Sequence, residues 1–537
     1  MARYRSYSYK QDQLVMLNPE RELESGTLEH AIHYIIEERI NGSIFLNDYN
    51  NDETGRPAYD PKILLKIILL GYSRGILSSR KLEQACLENI KFMAMSCGQS
   101  PDHTTLSKFM THLGDKVQKV FEEVLLICHE LGLLSGTHLS LDGLKLPGNA
   151  SKDSSGTFET LKKKREKVSK KIEQLREEHA ERDRNAEEVD EKEKSREEDR
   201  LKRLERESER IEKFLSQNEP RMGRSGKEVQ SNITDNESAR MHSRKGPTQG
   251  FNAQALVIEE SQVIVSNEAY GSGHDQGVGE KMLAKASLNL KKAGFGEEAL
   301  KGKKVSADCA YHSEENLEAC NTHEVDAYIP DHLFRSRNQK FDTRHKSNRP
   351  KKKKFEESDF KYNEASDSYE CPHGKELKLT ARASKTRERI YRKYIANEVD
   401  CQNCPLRGKC LSGKRSKRRC LSIYVSKVEG SLREAMRIKI DDPANQKIYN
   451  RRIGIVEPVF GNIRANKKMN RFTVRGLKKV NIQWTLYCLV HNLEKISKAQ
   501  WKLKSGEKGP LGAKTSPILL LLTSEIMLKD ELCKIAA

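Results

Sequence analysis

The chain has 537 residues and a formal net charge of +19, from 97 Lys and Arg against 78 Asp and Glu. Only 36% of the residues are hydrophobic, so some segments must be solvated helix or loop. The N-terminus lacks the apolar stretch of a secretory signal, and the apolar run 518–522 is too short for a membrane span. We expect a soluble cytoplasmic protein. The positive charge favours a polyanionic partner, although an unrelated basic enzyme fits it as well.

Residues 1–135 are predicted to be helical. Asp60 and Pro61 mark a helix start, because Asp caps free N–H groups and Pro suits the first helical position. Ser79 and Asp102 are predicted to cap two further helices. Short helices in this order are typical either of a helix-turn-helix DNA-binding unit or of a plain helical packing domain.

Residues 136–157 contain a predicted strand, because THLSLDGLKL at 137–146 alternates polar and apolar residues around Asp142. Residues 158–218 are then dominated by Lys, Arg and Glu, with apolar residues at heptad spacing near both ends. This pattern predicts an antiparallel helical hairpin with a polar tip. Its charges are interpreted as a solvated face without a chemical role.

Patterns of regular structure return over 219–330, with strands at 252–258 and 262–268, a helix near 276–293 and a strand within 305–311. This order of elements predicts an α/β core. The remaining segments are a basic, cysteine-containing insertion at 331–442, a helical segment at 443–496 and an unassigned tail at 497–537.

Asp142 and Asp308 lie within or at the end of apolar strands. A carboxylate is costly to bury unless it is paired or binds a cation. Two such residues on neighbouring strands would form an oxygen site suited to Mg²⁺ or Mn²⁺. Taken alone, each Asp is more often a cap or a turn residue.

The segment YNRRIGIVEPVFGNIR at 449–464 supplies a third carboxylate. On a continuous helix, Tyr449, Glu457 and Arg464 would share one face, where Arg can clamp phosphate. The alternative is a surface ion pair between Glu457 and Arg464, which their separation of seven residues disfavours. Pro458 is expected to end or kink the helix.

This segment resembles the third signature of bacterial insertion-sequence transposases of the DDE class, in which a Tyr, an Arg, the catalytic Glu and a basic residue follow in order. Tyr449 and Arg452 keep the first spacing. Four residues rather than three separate Arg452 from Glu457, and the last position is Arg464 rather than Lys. The variant IVEPVFGNIR is similar to one branch of these enzymes in particular.

Other segments resemble the same branch in the same order: GRPAYDPKILLKIILLGYSRGILSSRKLE, PDHTTLSKF, LSLDGLKLPGNASK, SNITDNESARM, QGFNAQALV and ADCAYHSEENL. The resemblance implies a ribonuclease H-like core with an N-terminal helical domain and a helical hairpin insertion. It also implies DNA as the partner, both at element ends and at the target, and a homo-oligomer on DNA, associated with the nucleoid and not with a membrane.

The catalytic residues are likewise implied by the resemblance. Two Mg²⁺ or Mn²⁺ ions would be held by Asp142, Asp308 and Glu457. Phosphates near the cut would be positioned by Tyr449, Arg452 and Arg464. Two other functions use the same sequence features, namely a transposase-derived DNA-binding regulator without catalysis and a metal-dependent nuclease without strand transfer.

Five of the twelve cysteines fall within 371–420. A CxxC pair with two outlying thiols can hold a tetrahedral Zn²⁺ ion through Cys371, Cys401, Cys404 and Cys410, with His373 and Cys420 as spare ligands. Free thiols or a redox pair are the alternatives. A zinc ion here would stabilise the insertion that lies between Asp308 and Glu457 in the sequence and would not take part in catalysis.

Overall fold

The structure is a computed structural model that describes residues 16–48, 57–184, 191–223, 226–243, 246–275, 277–338, 354–386, 389–411, 416–427 and 432–504. It divides into two compact units. The first unit comprises residues 1–307, 322–326 and 451–537, and the second comprises 308–321 and 327–450. No helix in the described ranges is long and apolar enough to cross a membrane.

Within the described residues, the first unit begins with seven α-helices: α1 (Pro19–Glu22), α2 (Leu28–Tyr34), α3 (Pro61–Ser73), α4 (Ser79–Glu88), α5 (Ile90–Met95), α6 (His103–His112) and α7 (Lys116–Glu130). A π-helical turn (Ile35–Arg39) and a 3₁₀ helix (Gly42–Asp48) lie between α2 and α3. The predicted caps at Asp60 and Asp102 are confirmed, since each carboxylate accepts backbone N–H groups in the first turn of its helix. The predicted cap at Ser79 is wrong by one residue. Ser78 occupies that position, and its side chain makes no capping hydrogen bond.

The sheet of the first unit is built around β1 (His138–Pro147). Its other long strands are β4 (Ala239–Ser243), β5 (Gly246–Ile258), β6 (Ile264–Tyr270) and β7 (Lys304–Ala307). The order is β4-β5-β1-β7, and it continues into β8 (Asp326–Tyr328), while β6 also pairs with β5. Because β1 runs antiparallel to β5 and parallel to β7, the predicted α/β core is confirmed as a mixed sheet.

The outer edge of β6 is closed by asparagines of α18 (Leu477–Lys504). The Asn492 amide accepts from the N–H of Ile264 and donates to its carbonyl, both at 2.9 Å. Asn481 does the same for Ala269, at 2.7 and 3.1 Å. An open strand edge exposes unpaired backbone groups, so these side chains replace the missing neighbouring strand.

The charged insertion forms the predicted hairpin, from α8 (Phe158–Arg184) and α9 (Glu191–Gln217). The short strands β2 (Ser155–Gly156) and β3 (Ser231–Asn232) pair at its base. Leu161, Ile211 and Phe214 are buried together between the arms. Residues 185–190 of the predicted tip lie outside the described residues.

The second unit contains an antiparallel sheet that the sequence patterns did not predict. Its strands follow the order β13 (Cys420–Lys427), β12 (Arg389–Ala396), β11 (Glu376–Thr386), β10 (Ser368–Glu370) and β9 (Lys361–Asn363). Helices α10 (Val278–Lys292) in the first unit and α11 (Glu314–Thr322) flank β7 in the chain. The second unit also holds α12 (Phe334–Arg337), α13 (Glu398–Gln402), α14 (Arg407–Cys410), α15 (Leu432–Asp441) and α16 (Pro443–Asn450).

The expectation that Tyr449, Glu457 and Arg464 share one face of a single helix is wrong. The chain breaks at Arg451 between α16 and α17 (Arg452–Gly461), so Tyr449 and Glu457 lie on different helices. Pro458 does not end α17, which runs on to Gly461 and into a π-helical turn at Asn462–Asn466. Of the tail, residues 497–504 belong to α18, and 505–537 lie outside the described residues.

We predict that Asn492→Leu lowers the free energy of unfolding by about 2–3 kcal/mol, because it leaves a buried N–H and a buried carbonyl of Ile264 without partners. Chemical denaturation followed by circular dichroism measures this change. The matched control is Asn450→Leu, at an exposed position at the end of α16. Equal stability of the two variants would contradict the proposed closure of the β6 edge.

Candidate active site around Asp142

Asp142 sits near the middle of β1, where its register partner on β5 is Ala255. One carboxylate oxygen accepts the N–H of Gly143 at 2.8 Å, and the other accepts from Nη1 of Arg452 at 2.7 Å. The Asp142 side chain is 23% exposed to solvent, and the Arg452 side chain is 12% exposed. The carboxylate is therefore accessible from one side and held by a charge-assisted hydrogen bond from the other.

Arg452 reaches Asp142 because α17 packs against β1. The buried face of this helix consists of Ile455, Val456, Val459 and Phe460. Their spacing of one, three and one residues brings them to one side of a helix. Arg452, the first residue of α17, thus begins the helix at the edge of the core, where its guanidinium contacts the strand.

Asp308 follows directly after β7 and is the first residue of the second unit. The parallel register of β1 and β7 pairs Leu141 with Ala307, the residues that immediately precede the two aspartates. One Asp308 oxygen accepts the N–H of Ala310 at 2.8 Å and caps a short 3₁₀ turn. The capping role that the sequence left open is therefore observed.

Glu457 lies exposed on α17, and Arg464 lies exposed in the π-helical turn that follows it. Among the described residues, neither side chain forms a hydrogen bond or an ion pair. The alternative of a surface pair between them is thus absent from the described part of the structure. It is Arg452, five residues before Glu457, whose side chain reaches Asp142.

Tyr449 lies in the second unit and packs against a small apolar cluster. Its ring meets that of Phe334 edge-on, with centroids 5.6 Å apart. Tyr328 and Ile440 complete this cluster. Within its unit, Tyr449 therefore contributes to the core, a packing role that its spacing from Arg452 and Glu457 did not reveal.

A polar chain beside the site was missed by the sequence analysis. Arg451 binds Glu259 at 2.6 Å, Glu259 binds Nδ1 of His138 at 2.9 Å, and Nε2 of His138 lies 3.1 Å from the Ser306 hydroxyl. Burial lowers the pKa of His138, and the Glu259 carboxylate opposes that shift. The chain joins β1, β5, β7 and the residue before α17. The only sequence signal for it was a polar residue at an inward position of β1.

Among the described residues, no group of three or more His, Cys, Asp or Glu side chains is arranged to hold a metal ion. The four cysteines predicted as zinc ligands all lie in the second unit as free thiols. Burial raises the pKa of Cys410, Arg419 lowers it, and the nearby thiols of Cys401, Cys371 and Cys404 raise it further. Cys371, Cys401 and Cys410 also pack against one hydrophobic cluster.

Residues 370–497 match the family described as Transposase DDE domain, and residues 18–112 match the one described as Transposase domain (DUF772). Comparison with curated proteins finds no match. The first match contains Arg452, Glu457 and all four predicted zinc ligands, and the second ends with α6. Asp142 and Asp308 lie in the stretch between the two matches.

We predict that Arg452→Met lowers the free energy of unfolding by about 1.5–3 kcal/mol, because it leaves the half-buried Asp142 carboxylate without its charged partner. The neighbouring variant Arg451→Met is the control. Arg451 is 58% exposed, so loss of its pair with Glu259 should cost less than about 1 kcal/mol. Denaturant titration compares the two, and an equal or larger loss for Arg451→Met would contradict the assigned role of Arg452.

Proposed function

We propose that this protein, which its two transposase domains identify as a DDE-class transposase of an insertion sequence, cuts DNA at the ends of its element and joins them to target DNA. The match to the Transposase DDE domain over 370–497 is the observation that carries this proposal. The net charge of +19 agrees with a polyanionic substrate.

The sheet supports a ribonuclease H-like core as the finer description of this α/β fold. Its central strand, β1, has an antiparallel neighbour on one side and a parallel neighbour on the other. The order β6-β5-β1-β7-β8 and the helix α10 between β6 and β7 agree with that architecture. In this description the hairpin α8–α9 is an insertion between the first two core strands.

We assign the catalytic carboxylates to Asp142, Asp308 and Glu457. The equal register of the residues before the two aspartates supports their pairing, and the exposed carboxylate of Glu457 stands on the helix that packs on β1. Carboxylate oxygens are the ligands preferred by Mg²⁺ and Mn²⁺, so the donor set fits these ions. Bound metal would make the attacking oxygen more nucleophilic and stabilise the leaving one.

The reaction balances without a covalent bond between protein and DNA. In the first step a water oxygen bonds to phosphorus and the bond to the 3′ oxygen breaks, which leaves a 3′-hydroxyl and a 5′-phosphate. In the second step that 3′-hydroxyl attacks a target phosphodiester and displaces another 3′ oxygen. The first step is a hydrolysis, which breaks one phosphodiester, and the second step breaks one phosphodiester for the one it forms, so neither step needs an external energy source.

The basic residues near the carboxylates would orient the DNA during these steps. Arg464 is exposed and can contact a phosphate directly. Arg452 holds the Asp142 carboxylate in place through its 2.7 Å contact, so we propose it as a positioning residue for that carboxylate as well as for phosphate. Tyr449 is proposed as a third phosphate-positioning residue, in addition to its packing against the apolar cluster of the second unit.

We predict that Asp142→Asn, Asp308→Asn and Glu457→Gln each abolish Mg²⁺-dependent cleavage of element-end DNA while leaving DNA binding intact. Each change removes a metal-binding charge and little volume. Asp115→Asn and Glu123→Gln, at exposed positions beside and on α7, are matched controls that should cut normally. Normal cleavage by one of the three variants would remove that residue from the site.

The same assay separates the alternative functions. A pre-cut end with a free 3′-hydroxyl is supplied together with target DNA, and joined products are measured. A nuclease without strand transfer would cut the uncut substrate and give no joined product. A DNA-binding regulator would bind the end and give neither product.

We further propose that Cys371, Cys401, Cys404 and Cys410 bind one structural Zn²⁺ ion. Thiols are ligands that Zn²⁺ prefers, so binding would draw together four side chains that are not arranged around one point in the described structure. Sγ of Cys401 accepts the backbone N–H of Arg419 at 3.4 Å. Such a bond to sulfur stabilises a thiolate ligand. The ion would link α13, α14 and the turn after β10.

We predict that the purified protein contains zinc and that Cys404→Ser loses most of it, because one of four ligands is removed. Metal content is measured by mass spectrometry, and thermal unfolding reports the accompanying loss of stability. Cys97→Ser, at an exposed cysteine of the first unit, is the control and should keep its zinc. Wild-type protein purified without chelator and free of zinc would overturn the assignment.

A further inference from the structure

Five arginines recur along α9 at spacings of four, three, three and four residues, and we call them the basic stripe: Arg196, Arg200, Arg203, Arg206 and Arg210. All five are exposed. At 100° per residue, these spacings keep the side chains within about a third of the helix circumference. At 1.5 Å per residue, the stripe is about 21 Å long.

Four of the nine acidic residues of α9 are paired with the opposite arm of the hairpin. Four ion pairs of 2.6–2.8 Å join them to cations of α8: Lys164–Glu207, Arg165–Glu212, Arg176–Glu205 and Arg182–Glu197. These pairs neutralise four acids of α9 against the opposite arm. The five arginines of the basic stripe stay exposed and outnumber the two acids, Asp199 and Glu207, that lie beside them.

Most of the basic stripe has no partner within the part of the chain that the structure describes. There, Arg196, Arg200, Arg203 and Arg206 form no ion pair or hydrogen bond. Arg210 donates to the hydroxyl of Thr234 at 3.3 Å. Asp199 is the acid on this side that no cation binds in the described ranges.

The stripe lines a groove of about 820 Å³ near the base of the hairpin. Its other lining residues are two lysines, two acids, a serine and two isoleucines: Lys164, Lys202, Asp199, Glu207, Ser154, Ile211 and Ile233. Glu207 is already paired with Lys164, so the groove keeps a clear excess of positive charge. Guanidinium groups bind phosphate oxygens in a planar, two-pronged fashion and are less strongly hydrated than ammonium groups. A groove rich in arginines without partners therefore fits a chain of phosphates.

We propose that this groove binds the phosphate backbone of duplex DNA. The proposal takes DNA as the polyanion from the proposed function, but it concerns a surface separate from the carboxylates. Duplex DNA rises 3.4 Å per base pair, so the stripe spans about six base-pair steps. A single nucleotide would engage only one or two of the arginines, whereas a duplex can engage all five. The hairpin is thus a DNA-contacting element and not merely a solvated face.

The test is the triple variant Arg200→Gln, Arg203→Gln, Arg206→Gln, titrated with a duplex of 30 base pairs at several salt concentrations. If three phosphate contacts are lost, the slope of log K against log[salt] should become shallower by about 2.7. The control is Lys162→Gln, Lys167→Gln, Lys170→Gln. It removes the same charge from exposed positions on α8 outside the groove and should change the slope little.

Circular dichroism and thermal unfolding check that both triple variants fold like the wild type. An unchanged slope in the Arg variant, or an equal change in the Lys variant, would overturn the assignment of the groove. Cleavage by the wild type is measured in parallel. If the wild type fails to cut while the Arg variant loses affinity, the proposed catalysis fails and the DNA-binding groove stands.

Discussion

The rest of the first unit depends on the position of β1, which is hydrogen-bonded on both sides. Nine of its residues are paired with β5 and four with β7. A shift of one residue would turn every side chain of the strand to the opposite face. The pairing with both strands therefore determines the face of the sheet to which the Asp142 side chain points. It also determines the position of Ala307, which precedes Asp308, and the surface of β1 against which α17 packs. The polar chain through His138 ties the same strand to β5 and β7 at its beginning.

The hairpin can be inserted between β1 and β5 without disturbing their pairing, because its first and last residues lie close together. β2 and β3 pair at its base, and buried apolar residues of α8 extend from Leu161 near the base to Ile172 and Leu175. Ion pairs between the arms accompany these apolar contacts. Exposed ion pairs add little stability. Their larger effect is to pair four acids of α9 with the opposite arm, while the arginines of the basic stripe stay exposed. The antiparallel packing of α8 against α9 therefore leaves one face of α9 available to bind DNA.

Local patterns predicted the elements whose stability is decided locally. The caps at Asp60 and Asp102, the alternation around Asp142 and the heptads of the hairpin all act within a few residues, and the structure contains each of them. The five-stranded sheet of the second unit was missed because Lys and Arg interrupt the apolar alternation of β11 and β12, and because β9 and β10 have only three residues each. It is held by a few distant contacts, such as those of Leu377 with Tyr394 and Leu421. The break before α17 was missed because no Gly or Pro marks it.

The sequence alone determined the family, the α/β class, the hairpin and the identities of the three candidate carboxylates, because motifs and periodicity are properties of neighbouring residues. Only the tertiary structure decided which groups meet. It paired Arg452 with Asp142 across 310 positions of chain, placed Tyr449 against an apolar cluster and paired four acids of α9 with cations of α8. These contacts depend on which strand edges and helix faces stay accessible once the core has packed. Core packing involves residues that are far apart in the chain, so a local sequence pattern does not predict it.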